Sequence, residues 1–367
     1  MWMDSIKSAP KSNGDVFSKI AAHHLPIIVY GAKPYAEWVT KCLHEHGIEV
    51  YGYTVDKKYF SKDTLLGKPI FVFEEIKKES RQYVFVLGTI SRKKLIQRFL
   101  EDSSIIKYYL DTEVHDPITY NYLRSHYDAF NETYQWLEDE LSRQTFCAFL
   151  NLKISGDIFY NLEVVQPNQY QYFNKIMNVF KSGVFVDCGA YTGDTIENYI
   201  NWSGGKYEKI YAFEPEANNR TRMEAMIREN NYDNIEILPY GVWDKAEVLR
   251  FSADDASASA VNKGGNVEIY VEAIDNVIAR ANNNVPFFIK MDIEGSELKA
   301  LHGAAKTISI GPTPMAICVY HRADDLIRIP QYIKSFETSK VRYKFYLRKY
   351  QPAITSELVL YAVPYEA

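Results

Sequence analysis

The stretch Val184-Phe185-Val186-Asp187-Cys188-Gly189-Ala190-Tyr191-Thr192-Gly193-Asp194-Thr195 begins as an apolar run and ends as a polar turn. Val184 to Val186 suits a strand buried on both faces, as in a parallel sheet. Asp187 stands at the carboxyl end of that strand. Gly189 and Gly193 bracket a tight turn in which a missing Cβ lets backbone N–H groups approach a ligand. Asp194 or Thr192 is placed to cap the helix that continues through Ile196-Glu197-Asn198. Strand, acid, glycine turn and helix, in that order, describe a nucleotide-cofactor corner of an α/β sheet.

The turn has neither the G-x-G-x-x-G of dinucleotide folds nor the Lys-Ser/Thr pair of phosphate loops. A ligand without a pyrophosphate but with an amino-acid end fits better, and S-adenosylmethionine is such a ligand. Taken alone, the turn reads equally well as a tight strand-to-helix connection. The next strand favours the cofactor. Lys209-Ile210-Tyr211-Ala212-Phe213-Glu214-Pro215 is a second short apolar run ending in an acid. It places Glu214 roughly twenty residues after the turn, the interval at which nucleotide-binding α/β units carry their ribose-binding carboxylate. Glu216 to Asn230 reads as a polar-faced helix, and Ile235 to Asp244 as a third strand whose loop, Gly241-Val242-Trp243-Asp244, lies over the adenine.

From about Gln169 onward the chain resembles the FkbM family of S-adenosylmethionine-dependent methyltransferases. Four blocks carry the resemblance in order: Phe185 to Thr195, Tyr211 to Pro215, Gly241 to Asp244, and Phe288-Ile289-Lys290-Met291-Asp292-Ile293-Glu294-Gly295-Ser296-Glu297-Leu298. The last, a strand ending in K-x-D-x-E-G-x-E, is the most distinctive. The resemblance implies a Rossmann-like class I methyltransferase domain with a seven-stranded mixed sheet. It also implies O-methyl transfer to a sugar hydroxyl of a surface glycan or its nucleotide-linked precursor. Asp187, Gly189, Ala190, Tyr191, Gly193, Asp194, Thr195, Glu214 and Pro215 are then the cofactor-binding residues, with Gly241, Val242, Trp243 and Asp244 at the adenine.

The strand Phe287 to Met291 delivers Asp292 and Glu294 to the same sheet end as the glycine turn, because parallel strands present their carboxyl ends together. Gly295 is expected to open the next helix. A further strand, Met315 to Tyr320, ends at His321, so Asp292, Glu294 and His321 are expected to converge as the catalytic group. A hydroxyl attacking a sulfonium methyl needs a proton acceptor, and imidazole titrates in the useful range. The same three side chains could instead hold a divalent metal that orients the hydroxyl. In a third reading the acids merely cap the helix. Tyr170 and Tyr172, just before the first strand, are candidates for lining the pocket.

Upstream, the sequence predicts a polar tail over 1–24, a small Rossmann-like α/β domain over 25–113, a helical linker over 114–168 and the methyltransferase domain over 169–367. In the N-terminal domain Pro26 to Ala32 is a buried-type strand, Pro34 to His46 a helix, and Asp56 an acid at the end of the next strand. Its turn, Gly31-Ala32-Lys33-Pro34, has lysine and proline where a dinucleotide fold has further glycines. That leaves structural, substrate-docking or homo-oligomer-forming roles beside a nucleotide-binding one. Between the domains Tyr120, Leu123, Tyr127, Phe130, Tyr134, Leu137 and Leu141 recur at helical steps.

With 367 residues and a net charge of −5, the chain lacks the basic surface that a nucleic-acid partner demands. Clusters such as Arg92-Lys93-Lys94 read as solvated helix faces. Four scattered cysteines form no metal or disulfide pattern, and no apolar run approaches the ~20 residues that span a bilayer, which suits a cytoplasmic enzyme. Two other functions compete with methyl transfer: a nicotinamide-dependent sugar-modifying enzyme using the N-terminal module, and a non-catalytic methyltransferase-like scaffold.

Overall fold

Apolar runs in the first part of the chain form strands β1 (Ile27–Tyr30), β2 (Val50–Val55), β3 (Thr64–Leu65), β4 (Lys68–Val72), β5 (Val84–Leu87) and β6 (Ile106–Tyr109). The computed structural model describes residues 2–6, 16–89, 99, 101–110, 118–155, 159–251, 267–278, 287–350 and 356–366. The chain divides into two units, one of residues 1–125, 145–165 and 351–355, the other of 126–144, 166–350 and 356–367. In the first, the sheet order is β3-β4-β2-β1-β5-β6, parallel throughout except for the β3–β4 hairpin. Central β1 and β5 are buried at every position, and the helix Pro34–Glu45 turns Ala36, Val39 and Leu43 onto them. Proline at the start of this helix is tolerated because the first helical N–H has no partner to lose. Gly31, with φ 147°, ends β1; a Cβ there would stand 2.2 Å from the Gly88 carbonyl oxygen at the end of β5.

The helical character expected between the two sheets is found in Tyr120–Ser125, Tyr127–Trp136 and Glu140–Ser155. The apolar stripe does not run along one helix, however. Leu137 is extended (φ −69°, ψ 123°) and bridges Phe345, which separates Tyr134 from Leu141. The first residues of the expected linker, 114–117, and residues 156–158 within it lie outside the described residues, as do Arg92, Lys93 and Lys94.

The second unit contains β7 (Val184–Cys188), β8 (Lys209–Phe213), β9 (Ile235–Leu238), β10 (Gly241–Val242), β11 (Glu247–Phe251), β12 (Val267–Glu272), β13 (Phe287–Met291), β14 (Met315–Cys318), β15 (Val341–Lys349) and β16 (Leu358–Glu366). Seven of them build a mixed sheet in the order β15-β16-β14-β13-β7-β8-β9. β9 to β14 along that order are parallel, and β16 is antiparallel to both its neighbours. This is the Rossmann-like class I methyltransferase architecture. β10, β12 and β11 form a separate small sheet, with β11 and β12 antiparallel.

Under the main sheet Phe185 stacks on Tyr199 with centroids 4.3 Å apart, and Phe288 packs 5.4 Å from Phe185. Each such aromatic pair adds about 0.5–1.5 kcal/mol beyond the area it buries. These contacts fix β7 and β13 side by side. Chain order reverses between them, and ligand crevices in α/β sheets open beyond the strand ends at such a switch point.

Two local expectations are corrected. The helix after the turn runs Asp194–Ser203 with Gly193 (φ 90°) as its N-cap and no side-chain cap, so neither Thr192 nor Asp194 caps it. Asp194 is its first residue, where an anion favours the positive end of the helix dipole. Likewise Gly295 does not open the following helix, which runs Glu297–His302 behind Ser296. Asp292 and Glu294 therefore precede its cap and do not form it. Among the described residues no helix is long and apolar enough to cross a membrane.

Candidate active site

Parallel pairing sets Lys290 on β13 directly opposite Asp187 on β7. Lys290 Nζ lies 3.0 Å from Asp187 Oδ1, with side-chain exposures of 2% and 0%, and donates to the Gly189 carbonyl at 2.8 Å. Burial works against the Lys290 cation, but Asp187 and Asp292 more than reverse it and hold its pKa above the ordinary value. Burial lifts Asp187 against the pull of Lys290. A carboxylate so enclosed does not reach a ligand. Asp187, expected at the cofactor, is enclosed beside Lys290, which reaches on to the turn after it.

The turn is held mostly through its backbone. Gly189 N and Ala190 N both donate to the Phe213 carbonyl at 3.1 Å, which ties the end of β7 to the end of β8. Tyr191 N donates to Glu214 Oε2 at 2.9 Å, while Glu216 N donates to Oε1 at 2.9 Å. Burial raises the Glu214 pKa, with the bond from Glu216 N, then Asn219 and Tyr191 N, working in the opposite sense. A carboxylate has about four acceptor sites, so Glu214 can bind the turn and still accept from a ribose. Pro215 continues the same corner, its carbonyl accepting from Arg220 at 2.6 Å.

Gly241 and Val242 pair with β12, and Trp243 N donates to the Glu272 carbonyl at 2.9 Å. Asp244 accepts from Lys299 Nζ at 2.8 Å, on the helix next after the acidic motif. The loop expected at the adenine is thereby fastened to the helix that follows Asp292 and Glu294.

Beyond β13 and β14 the three expected catalytic residues do meet. His321 Nε2 is 3.6 Å from Asp292 Oδ1 and 3.4 Å from Glu294 Oε2, and its Nδ1 is 2.9 Å from Glu297 Oε1. Asp292 also accepts from the Tyr172 hydroxyl at 2.9 Å and the Tyr320 hydroxyl at 3.1 Å. Of these groups Asp292 is 24% exposed and Glu294 53%, whereas His321 is 8% and Glu297 fully buried. Burial pushes the His321 pKa down, but Glu297, Asp292 and Glu294 raise it to about 10. Burial likewise raises Asp292, yet Lys290 and His321 bring it below its usual value.

With its pKa held up by three carboxylates, His321 is disposed to keep its proton at neutral pH, which weighs against it as the general base. The donor atoms of Asp292, Glu297 and His321 lie within 4.8 Å of one another, a set that substitutes Glu297 for the Glu294 expected in a metal reading. A cation bound there would have to displace the proton that these carboxylates hold on His321. Sequence reasoning gave no role to Lys290, Glu297 and Tyr320. A lysine inside the apolar run Phe287 to Met291 was the available signal for the first, since a buried lysine needs a partner.

The residues at the switch point fit a cofactor of the expected chemistry. First-turn N–H groups of the helix Asp194–Ser203 have no side-chain cap and suit a carboxylate. Asp292 offers an accessible anion to an ammonium or sulfonium. Residues 187–339 match the family model of the methyltransferase FkbM domain. That stretch is similar to an FkbM methyltransferase domain.

Methyltransferase FkbM from Methylobacillus flagellatus KT is similar over 98% of this chain and 98% of its own, at 25% identity and a TM-score of 0.75. An rRNA methylase from Streptococcus thermophilus shares 12% identity over 51% of this chain and 92% of its own, with a TM-score of 0.32. Likeness at that lower level carries no functional inference. Among curated proteins no relative matches the sequence. The FkbM match supports a methyltransferase, and that family implies S-adenosylmethionine as the methyl donor. All four sequence blocks that mark the family border the β7–β13 crevice or are tied to it.

Proposed function

We propose that the protein is an S-adenosylmethionine-dependent O-methyltransferase acting on a sugar hydroxyl of a surface glycan or its nucleotide-linked precursor, in the cytoplasm. The observation that carries the reading is the pair Asp292 and Glu294, both accessible and both within 3.6 Å of the buried His321 imidazole. A sugar hydroxyl is a weak nucleophile until its proton has an acceptor, whereas a neutral amine needs none to attack. When bound, the cofactor supplies an electrophilic methyl on a sulfonium leaving group. Glu294, the more exposed carboxylate, accepts the hydroxyl proton as the oxygen–carbon bond forms. Asp292 stays anionic beside the cationic end of the cofactor. His321 positions both acids, and Glu297 holds His321 from behind.

Cofactor binding is assigned to Gly189, Ala190, Tyr191, Gly193, Asp194 and Thr195, with Glu214 and Pro215 at the ribose and Gly241 to Asp244 along the adenine. Asp187 acts through Lys290. No step is assigned to a divalent metal.

Calorimetric titration with S-adenosylhomocysteine, with and without chelator, tests the cofactor site, and methyl transfer to a panel of nucleotide-linked sugars tests the acceptor. Micromolar binding lost in Glu214→Ala, with turnover lost in Glu294→Gln while cofactor affinity is retained, supports the reading. Binding without transfer to any sugar, or full turnover in Glu294→Gln, overturns it.

A further inference from the structure

The N-terminal unit has a crevice of its own that methyl transfer does not use. A cavity of about 750 Å³ opens beyond the carboxyl ends of β1 and β2, beside the first turn of the helix Pro34–Glu45. Its volume falls within the ~300–1,000 Å³ of ligand pockets. The sheet order reverses between β1 and β5, and Thr89 past the end of β5 also lines the cavity, so the crevice reaches the topological switch point.

Three kinds of chemistry meet there. Asp56 ends β2, is 4% exposed and accepts from the buried Tyr30 hydroxyl at 2.6 Å, so its orientation is fixed at the cavity wall. Lys33, Lys58 and Lys62 bring cationic side chains to the same cavity. Tyr59 and Leu66 also line it and are 37% and 59% exposed, with Leu66 held at φ 49°. A carboxylate for vicinal hydroxyls, ammonium groups for phosphates and an accessible aromatic–aliphatic wall for a base match the parts of a nucleotide.

We propose that this crevice binds a nucleoside diphosphate, free or as the head of a larger nucleotide conjugate. A dinucleotide is disfavoured by the turn itself. Pro34 removes one of the N–H groups on which a pyrophosphate would rest, and Lys33 places a side chain where its backbone would have to approach. Gly31 faces the Gly88 carbonyl and not the ligand, so its missing Cβ serves strand packing. The diphosphate is therefore met by lysine ammonium groups.

The full-length protein, saturated with S-adenosylhomocysteine so that the methyltransferase crevice is closed to adenine nucleotides, is titrated with UDP, GDP, ADP and NAD. Binding of at least one nucleoside diphosphate at micromolar affinity is expected. It should weaken about tenfold or more in Lys58→Ala/Lys62→Ala and in Asp56→Asn, with S-adenosylhomocysteine affinity unchanged in both. The lysine variant alters exposed side chains only, so the test stands if Asp56→Asn folds poorly. Absence of nucleoside diphosphate binding, tighter binding of NAD than of ADP, or affinity unchanged in the lysine variant overturns the assignment.

Discussion

Lys290 Nζ and Asp187 Oδ1 lie 3.0 Å apart between adjacent parallel strands, and neither side chain is more than 2% exposed. The pair joins the strand of the glycine turn to the strand of the catalytic acids, and Lys290 reaches on to the Gly189 carbonyl. Lys290→Met leaves Asp187 enclosed without its counter-ion, so the carboxyl must either stay buried unpaired or take up a proton. Breaking one side of a buried pair costs about 3–5 kcal/mol, which a urea unfolding curve resolves. Asp187→Leu/Lys290→Met should recover much of that stability but not cofactor affinity, because the bond to Gly189 stays lost. Equal affinity for S-adenosylhomocysteine in wild type and double variant would remove the pair from any role in shaping the turn.

His321 provides a pH signature. Its pKa rises from 6.5 to about 10 on folding, so the stabilisation it gives is complete below about pH 6.5 and is lost as pH climbs toward 10. Asp325, lifted by burial first and then by Glu297 to about 8, also loses stability as pH rises. The comparison is therefore wild type against His321→Asn, whose unfolding midpoints should converge between pH 6.5 and 10. In the wild type kcat should show no ionisation near 6.5 assignable to His321. A rate limb near 6.5 that vanishes in His321→Asn would restore imidazole as the base.

Much of the fold is legible in the chain because short apolar runs ending in Gly31, Asp187, Glu214 and Asp292 each announce a buried strand and its carboxyl end. The meeting of Asp292, Glu294 and His321 follows from the same rule. What spacing along the chain does not convey is charge state. Whether His321 is a base depends on Glu297, which a turn of backbone folds behind it, and whether Asp187 meets a ligand depends on a lysine 103 positions away, opposite it across the sheet. The helix cap escapes the sequence for a related reason: Gly193 in a left-handed conformation already starts the helix, so the adjacent polar side chains have nothing to cap.

Tyr172→Phe isolates one support of the acid cluster. The hydroxyl bonded to Asp292 Oδ2 at 2.9 Å is lost with little change of shape. A bond to a charged acceptor contributes about 1.5–3 kcal/mol, so turnover should fall about tenfold or more if Asp292 must hold its place in the transition state. A purely structural tyrosine would lower the unfolding midpoint and leave kcat unchanged in the folded fraction.

Gly189→Ala tests how closely the turn and the acidic motif are built together. A Cβ at Gly189 would stand 2.1 Å from the Asp292 carbonyl oxygen, and its φ of 81° disfavours any side chain. Backbone cannot yield at that point, because Asp292 N already donates to the Cys188 carbonyl at 3.1 Å. The variant should separate the ends of β7 and β13 and abolish S-adenosylhomocysteine binding. Gly204→Ala is the control: its φ of 68° carries the same kind of strain but its Cβ enters open space. That change should cost about 1 kcal/mol and leave binding intact. Retained binding in Gly189→Ala would show that the switch-point crevice does not depend on the contact of these two strand ends.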